Sequence, residues 1–371
     1  MSRKGENIYR RKDGRWEGRY LKGYEPDGRS IYGSVYGRSY GEVKDKLLPL
    51  KLTPIRASNR FPDLFGEYLM DWLEETEHKV KPATQSSYQR IIHQHILPAL
   101  GGKNLKNITA QDVQRFVNQL KAGDLSAGSI RCIFRVLSAV MGKAAETGAM
   151  ATDVCKRIVL PPLEHEKVQV LSRPEQEVLE NAAWTDKNGI CVLLALYTGM
   201  RLGEICALRW EDINLERRVI HVRQTAQRLP LQDGKTKTAI HLGTPKSRTS
   251  QRMIPLSNSM AEYLSAYRPE SENGYVLTQS AKMAEPRVCQ YRFHALLDRA
   301  GLRRINFHTL RHTFATRCME LHMDITTLSQ LLGHSSVKLT LDTYTDSVWE
   351  HKAEAIQLLD SLGSTLTQCA V

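Results

Sequence analysis

The sequence predicts a multidomain protein: a small N-terminal β-sheet plus helix module, an all-α domain, and a mixed, mainly α domain with a small β-sheet. Three observations predict it. Aromatic and polar residues alternate between Asn7 and Tyr36, apolar stripes of helical period run from Phe61 to Met141, and strand-like and helical segments mix beyond Pro161-Pro162. A chain of 371 residues has room for two or three domains of about 150 residues each. With 41% apolar and 25% charged residues, folded cores are expected.

Asn7–Arg11, Arg15–Leu21 and Arg29–Tyr36 have the period of half-exposed strands, and Lys12-Asp13-Gly14 and Pro26-Asp27-Gly28 supply turns between them. A short helix follows over about Tyr40–Leu50, then a connector at Leu52–Arg60. The helical stripes are Phe61, Leu64, Phe65, Tyr68, Leu69 and Trp72; Tyr88, Ile91, Ile92, His95 and Ile96; Val113, Phe116, Val117 and Leu120; and Ile130, Ile133, Phe134, Leu137, Val140 and Met141. They read as the core of four amphipathic helices. Pro161–Glu166 reads as a linker. Beyond it Ser172 and Glu175 form a capping box, helices surround Ile190–Leu208, strands are expected at Arg218–Gln224, Ala239–Leu242 and Arg252–Leu256, and helices return from about Pro286. The domain boundaries read from this pattern are 1–55, 61–158 and 166–371.

Lysine and arginine total 52 against 40 acids, a net charge of +12, and 15 basic against 7 acidic residues fall in Met1–Arg60. A basic N-terminal module is thus joined to a nearly neutral body, which favours a polyanionic partner, nucleic acid first. Arg10, Arg11, Lys12, Arg15, Trp16, Arg19 and Lys22 interleave cations with an aromatic in this module and are its candidate DNA contacts. The polar start, Met1–Gly14, does not read as a secretory signal, and the apolar run at Ile190–Tyr197 is short of the roughly 20 residues of a membrane span. Seven cysteines form no CxxC pair, which fits a reduced, cytoplasmic protein with these as mostly buried small hydrophobes.

The residues that can carry chemistry are ordered along the C-terminal half. Arg201 follows the Thr198-Gly199 break, Lys246 sits in a loop between strands, His308 and Arg311 open a helix, His334 follows a short helix ended by Gly333, and Tyr344 comes ten residues later. His308 and His312 are four apart, but no glutamate completes an H-E-x-x-H and Arg311 lies between them, so no metal is expected there. Glu204 reads as a structural partner for nearby donors, Trp210 as a packing residue, and Arg209, Arg317 and His312 as structural or peripheral phosphate contacts.

Thr198–Glu204 as T-G-x-R-x-x-E, the inter-strand lysine, His308–Thr313 as H-x-L-R-H-T, Leu331–His334 as L-L-G-H and the terminal Tyr344 together resemble the tyrosine recombinase (phage integrase) family. The helical segment resembles that family's four-helix, SAM-like core-binding domain, the C-terminal part its DNA breaking-rejoining fold, and the basic module an arm-binding domain of phage or conjugative-transposon integrases. The resemblance implies that Tyr344 attacks a phosphodiester to give a 3′-phosphotyrosine bond and a free 5′-hydroxyl, that Arg201 and Arg311 grip the phosphate, that Lys246 is the general acid, that His308 assists proton transfer, and that His334 hydrogen-bonds the phosphate. It also implies a homo-tetramer on double-stranded DNA with core and arm sites, an accessory excisionase or host DNA-bending protein, no membrane, and no cofactor. Lys235 and Lys237 compete with Lys246 for its position. The rivals are a chromosome-resolution recombinase, against which the basic module argues, a non-catalytic regulator, which would be expected to have lost Arg201, Arg311 or Tyr344, and a topoisomerase.

Overall fold

The computed structural model describes residues 7–24, 30–52, 61–163, 168–230, 238–244, 250–269 and 274–344. The chain divides into two compact units, Met1–Glu164 and His165–Val371.

In the first unit, β1 (Ile8–Arg10), β2 (Trp16–Tyr24) and β3 (Ser30–Gly37) form an antiparallel sheet in sequence order, with helix α1 (Tyr40–Leu52) on one face. The β1–β2 turn is made by Gly14 at φ +85°, a conformation that favours glycine. The expected turn at Pro26–Gly28 lies outside the described residues. Alternation along β2 sends Trp16, Gly18 and Tyr20 toward α1 and Glu17 and Arg19 away from it. Ile8, Val43 and Leu47 form the small core, with Trp16, Tyr20, Val35 and Tyr40 packed around it. A Cβ at Gly18 would lie 2.6 Å from Val43, so glycine lets α1 sit close on the sheet.

From residue 61 the described residues of this unit carry α2 (Phe65–Glu77), α3 (Pro82–Ile91), α4 (Leu97–Leu100), α5 (Ala110–Ala122) and α6 (Ala127–Glu146). A π-helical turn at Ile92–Ile96 joins α3 to α4, so four rods are made, as the four stripes imply. Pro82 starts α3, a Thr109/Asp112 capping box starts α5, and the Ser126 hydroxyl caps α6. The stripes meet in one core that includes Phe65, Leu69, Ile92, Ile96, Val113, Leu137 and Met141.

The second unit runs α7 (Arg173–Thr185), α8 (Ile190–Thr198), α9 (Leu202–Ala207), β4 (Ile213–Asn214), β5 (Val219–Val222), β6 (Thr225–Pro230), β7 (Thr238–Gly243), β8 (Arg252–Pro255), α10 (Asn258–Tyr267), α11 (Pro286–Arg299), α12 (His308–Glu320), α13 (Ile325–Leu332) and α14 (Val337–Tyr344). The Ser172/Glu175 box opens α7 as expected. Helix α8 is the central post of the core, with every side chain from Ile190 to Leu196 buried. Strands β4, β5 and β8 form one antiparallel sheet, while β6 and β7 pair separately as a two-stranded ribbon. The strand expected around Ala239–Leu242 therefore joins a partner the sequence did not reveal, because Thr225–Pro230 mixes polar residues with a terminal proline and lacks a clean strand signature. Among the described residues, no helix is long and apolar enough to cross a membrane. Of the six described cysteines, five are buried and Cys132 is exposed.

Candidate active site

Four of the six predicted catalytic residues meet where three chain breaks converge in the second unit. The first break is the end of α8. Gly199 adopts φ +63° there and turns the chain so that Arg201 caps α9. A Cβ on Gly199 would approach Phe314 to 2.5 Å, so both the conformation and the space call for glycine. The second break is the start of α12, which carries His308 in its first turn and Arg311 one turn later. The third is the end of α13, where Gly333 at φ +62° delivers His334 just past the helix.

Glu204 is the hub. Its carboxylate is 2% exposed and receives Arg201 Nη1 at 2.8 Å, the Arg201 backbone N–H at 3.0 Å, and Arg252 Nη1 and Nη2 at 3.2 and 3.0 Å. Burial alone would raise its pKa, but the guanidinium of Arg252, and then that of Arg201, hold it below the usual carboxylate range. Glu204 therefore stays ionised. Arg201 also donates to the Gly333 carbonyl at 3.4 Å and keeps about a third of its side chain exposed.

Arg311 is buried and donates to the carbonyls of Gly199 at 2.7 Å and Leu332 at 2.6 Å. These are C-terminal carbonyls of α8 and α13, which lack helical partners and carry the negative end of the helix dipole. A guanidinium is well placed to bridge them. His334 Nδ1 shares a hydrogen bond of 2.8 Å with the buried hydroxyl of Thr340 on α14, which orients the ring. Burial, then Arg311, Arg201 and Arg252, push the His334 pKa down to about 4. His308 is open to solvent on one side; partial burial, then His312, Arg311 and Arg201, push it down to about 4 as well. The rings of His308 and His312 meet edge to face at 4.7 Å between centroids. Both site histidines are thus neutral at pH 7. A cleft of about 250 Å³ opens beside His308, lined by Met200, Leu202, Gln290, Asn306, Phe307, His308 and Arg311.

Lys246, like Lys235 and Lys237, lies outside the described residues; β7 ends before it at Gly243 and β8 begins after it at Arg252. The backbone of α14 ends on Tyr344, and the Tyr344 side chain is outside those described. The sequence reading missed Arg252. Alternation along β8 could have found it, since Arg252 falls in phase with the buried Ile254 and Leu256, and a cation on a core-facing position needs a partner. Arg317 is structural, donating to Gln176, Glu320 and the Leu171 carbonyl. Arg209 pairs with Glu211 and lies over the Tyr275 ring, and Trp210 is buried as expected.

On the N-terminal sheet, the face away from α1 presents Tyr9, Arg19 and Tyr36, with Arg11 and Arg15 over the Tyr36 ring and Arg19 over the Tyr9 ring. At its centre Glu17 is 2% exposed although it points outward, because Arg11, Arg19 and Ser34 fold over it. Burial raises its pKa, but hydrogen bonds from Ser34, Tyr9, Arg19 and Arg11 prevail and bring it to about 2. Arg10, Lys12 and Lys22 are exposed. Trp16 is not on this face: its ring packs edge-on against Tyr40 at 5.4 Å, on the α1 side. Its position in the strand alternation, not its proximity to cations, decides this.

Paired arginines and neutral histidines around a buried carboxylate, on a mainly α lobe with a small sheet, define an enzyme of the tyrosine-type, site-specific DNA recombinase class. The chain belongs to the phage integrase family: residues 163–351 match the Phage integrase family, and residues 64–121 match the Phage integrase N-terminal SAM-like domain. It is similar to the tyrosine recombinase XerC-like protein of Caldanaerobacter subterraneus subsp. tengcongensis, with 28% identity over 92% of this chain and 94% of that protein. It is also similar to the ICEBs1 integrase of Bacillus subtilis, with 23% identity over 81% of this chain and 83% of the relative. Among solved structures, the Tn1549 transposon integrase in complex with a circular intermediate DNA superposes with a TM-score of 0.66 at 20% identity, covering 80% of this chain and all of that one. A lambda integrase dimer bound to a core site gives 0.57 at 18% identity, covering 92% and 96%.

Proposed function

We propose that the protein integrates and excises a mobile genetic element by transferring DNA strands through Tyr344. The Tyr344 phenolic oxygen attacks the scissile phosphorus, the 5′-oxygen leaves with a proton, and a 3′-phosphotyrosine bond stores the phosphodiester until a second 5′-hydroxyl reverses the step. No energy source is needed, because one phosphoester is exchanged for another. The observation that carries the reading is the gathering of Arg201, Arg311 and His334 at the Leu332–His334 corner with His308 close by, and Tyr344 closing the helix whose Thr340 holds His334.

Charge gathers on the non-bridging oxygens during attack, so the work of the site is positioning and charge stabilisation. The planar guanidinium groups of Arg201 and Arg311 can grip those oxygens in pairs. His334 has Nδ1 engaged by Thr340, which leaves Nε2 to hydrogen-bond the phosphate. A phenol of pKa near 10 is about a thousandth ionised at neutral pH, and the neutral imidazole of His308 can accept its proton. Lys246 protonates the leaving 5′-oxygen.

The helical domain and the catalytic lobe bind core sites, and the N-terminal sheet binds distant arm sites through its outer face. Relatives named as integrases of a transposon and of ICEBs1 support the mobile-element reading. A lambda integrase tetramer on a Holliday junction supports action as a homo-tetramer. An excisionase or host DNA-bending protein sets direction, and the reaction takes place on cytoplasmic, nucleoid DNA. The test is recombination between two plasmid-borne junctions cloned from the DNA flanking this reading frame, without ATP or divalent metal. Recombinant product from the parent chain and none from Tyr344→Phe is expected. Equal product from both would overturn the mechanism, and loss of core cleavage on deleting residues 1–60 would overturn the division of labour.

A further inference from the structure

Arg252 has no assigned part in the chemistry, yet its guanidinium is held by a side-chain carboxylate and two backbone carbonyls. Its side chain is 5% exposed. Nη1 and Nη2 lie end-on against the Glu204 carboxylate, Nε donates to the Leu331 carbonyl at 2.5 Å, and Nη1 also donates to the Ser250 carbonyl at 3.1 Å. It stands at the first position of β8, held in register opposite Val222. A Cβ on Gly333 would meet its Cδ at 3.0 Å, so the αL corner before His334 rests directly on the arginine stem. Ser250, two residues earlier, donates to the Gly333 carbonyl, which Arg201 also reaches.

We propose that Arg252 is a positioning residue of the strand-transfer site, fixing Arg201 through Glu204 on one side and the Leu331–His334 turn on the other. The inference rests on the strand-transfer reading above. Stability alone does not explain the arrangement, since a buried ion pair is commonly no better than an apolar replacement of the same volume. What the fork provides is geometry. Its planar donors tie three chain segments whose mutual distance decides whether Arg201 and His334 address the same phosphate, and an ammonium on a flexible stem cannot make the same set of bonds.

The test is cleavage of a nicked duplex carrying the flanking-junction site by the full chain, with either a normal phosphate or a neutral methylphosphonate at the scissile position. The methylphosphonate removes the charge that Arg201 grips. Arg252→Lys is expected to cleave the phosphate about 100-fold more slowly than the parent, the size of effect seen when one charge-stabilising donor is lost. On methylphosphonate its deficit should shrink to less than about 10-fold, because mispositioned charge then matters less. Arg201→Lys should show the same pattern. Where Arg252→Lys unfolds, Gly333→Ala presses on the arginine stem without removing a buried charge and should give the same phosphate-selective deficit. Parental rates on phosphate, or an equal loss on both substrates, would overturn the proposal. A parent chain that forms no covalent adduct would overturn the strand-transfer reading and this inference with it.

Discussion

Glu204 and Arg252 meet end-on, with Nη1 against Oε1 at 3.2 Å and Nη2 against Oε2 at 3.0 Å, and neither side chain is more than 5% exposed. The same carboxylate holds Arg201 through both its side chain and its backbone N–H. One buried anion thus pairs with two cations and fixes the start of α9. Removing its charge leaves the Arg252 guanidinium buried without its counter-ion and frees the partly exposed Arg201. Glu204→Gln is expected to lower the stability of the full chain by about 3 kcal/mol, read as a shift in the denaturant midpoint. A shift below about 0.5 kcal/mol would mean that the hub is not what holds the site.

Stability should also fall in mild acid. The folded pKa values of His308 and His334, near 4, lie below the unfolded value of about 6.5. Between those values the unfolded chain binds more protons, so the stabilisation present above pH 6.5 is lost as pH falls toward 4. Glu204, whose folded pKa is also depressed, adds a loss centred lower, setting in as its unfolded carboxyl protonates around pH 4.3. The denaturant midpoint should decline from about pH 6.5 downward, and the decline should be shallower in His334→Gln. A midpoint that stays level down to pH 4.5 would show that the histidines are not held neutral.

Gly199 is expected to tolerate no side chain. Alanine there must adopt φ +63° and pass within 2.5 Å of Phe314, and the Gly199 carbonyl is a partner of Arg311. Gly199→Ala should destabilise the chain by about 2 kcal/mol and slow cleavage more than DNA binding. Unchanged cleavage would mean that the Arg311 anchor can move without consequence.

Much of this was legible in the sequence because it is local. Capping residues, the glycines that end α8 and α13, and helical stripes such as Phe65, Leu69 and Trp72 each act over a few positions, and the structure places them as their chemistry requires. The order of Arg201, His308, Arg311 and His334 was legible only as a set, since each type alone is common. Less could be read where a residue's role depends on a distant neighbour. Arg252 and Glu204 are 48 positions apart, and Arg201 reaches a carbonyl 132 positions away. Proximity in the sequence groups Trp16 with its charged neighbours, whereas strand alternation turns it to the opposite face.

That difference between the two faces of the N-terminal sheet has a measurable consequence. Trp16→Ala removes a ring packed against Tyr40 and should unfold the module, abolishing arm binding at every salt concentration. Arg19→Ala leaves the core intact and should weaken arm binding while reducing the slope of log affinity against log salt by about 1. If Arg19→Ala leaves both affinity and slope unchanged, the outer face is not the one that meets DNA.

The most direct measurement is the chemical identity of the protein–DNA bond. The full chain is incubated with a nicked duplex carrying its flanking junction, the reaction is resolved on a denaturing gel, and the shifted band is digested for mass spectrometry. A nucleotide attached through its 3′-phosphate to Tyr344, and no adduct from Tyr344→Phe, is the expected result. Attachment to any other residue, or an equal adduct from Tyr344→Phe, would contradict strand transfer by this tyrosine.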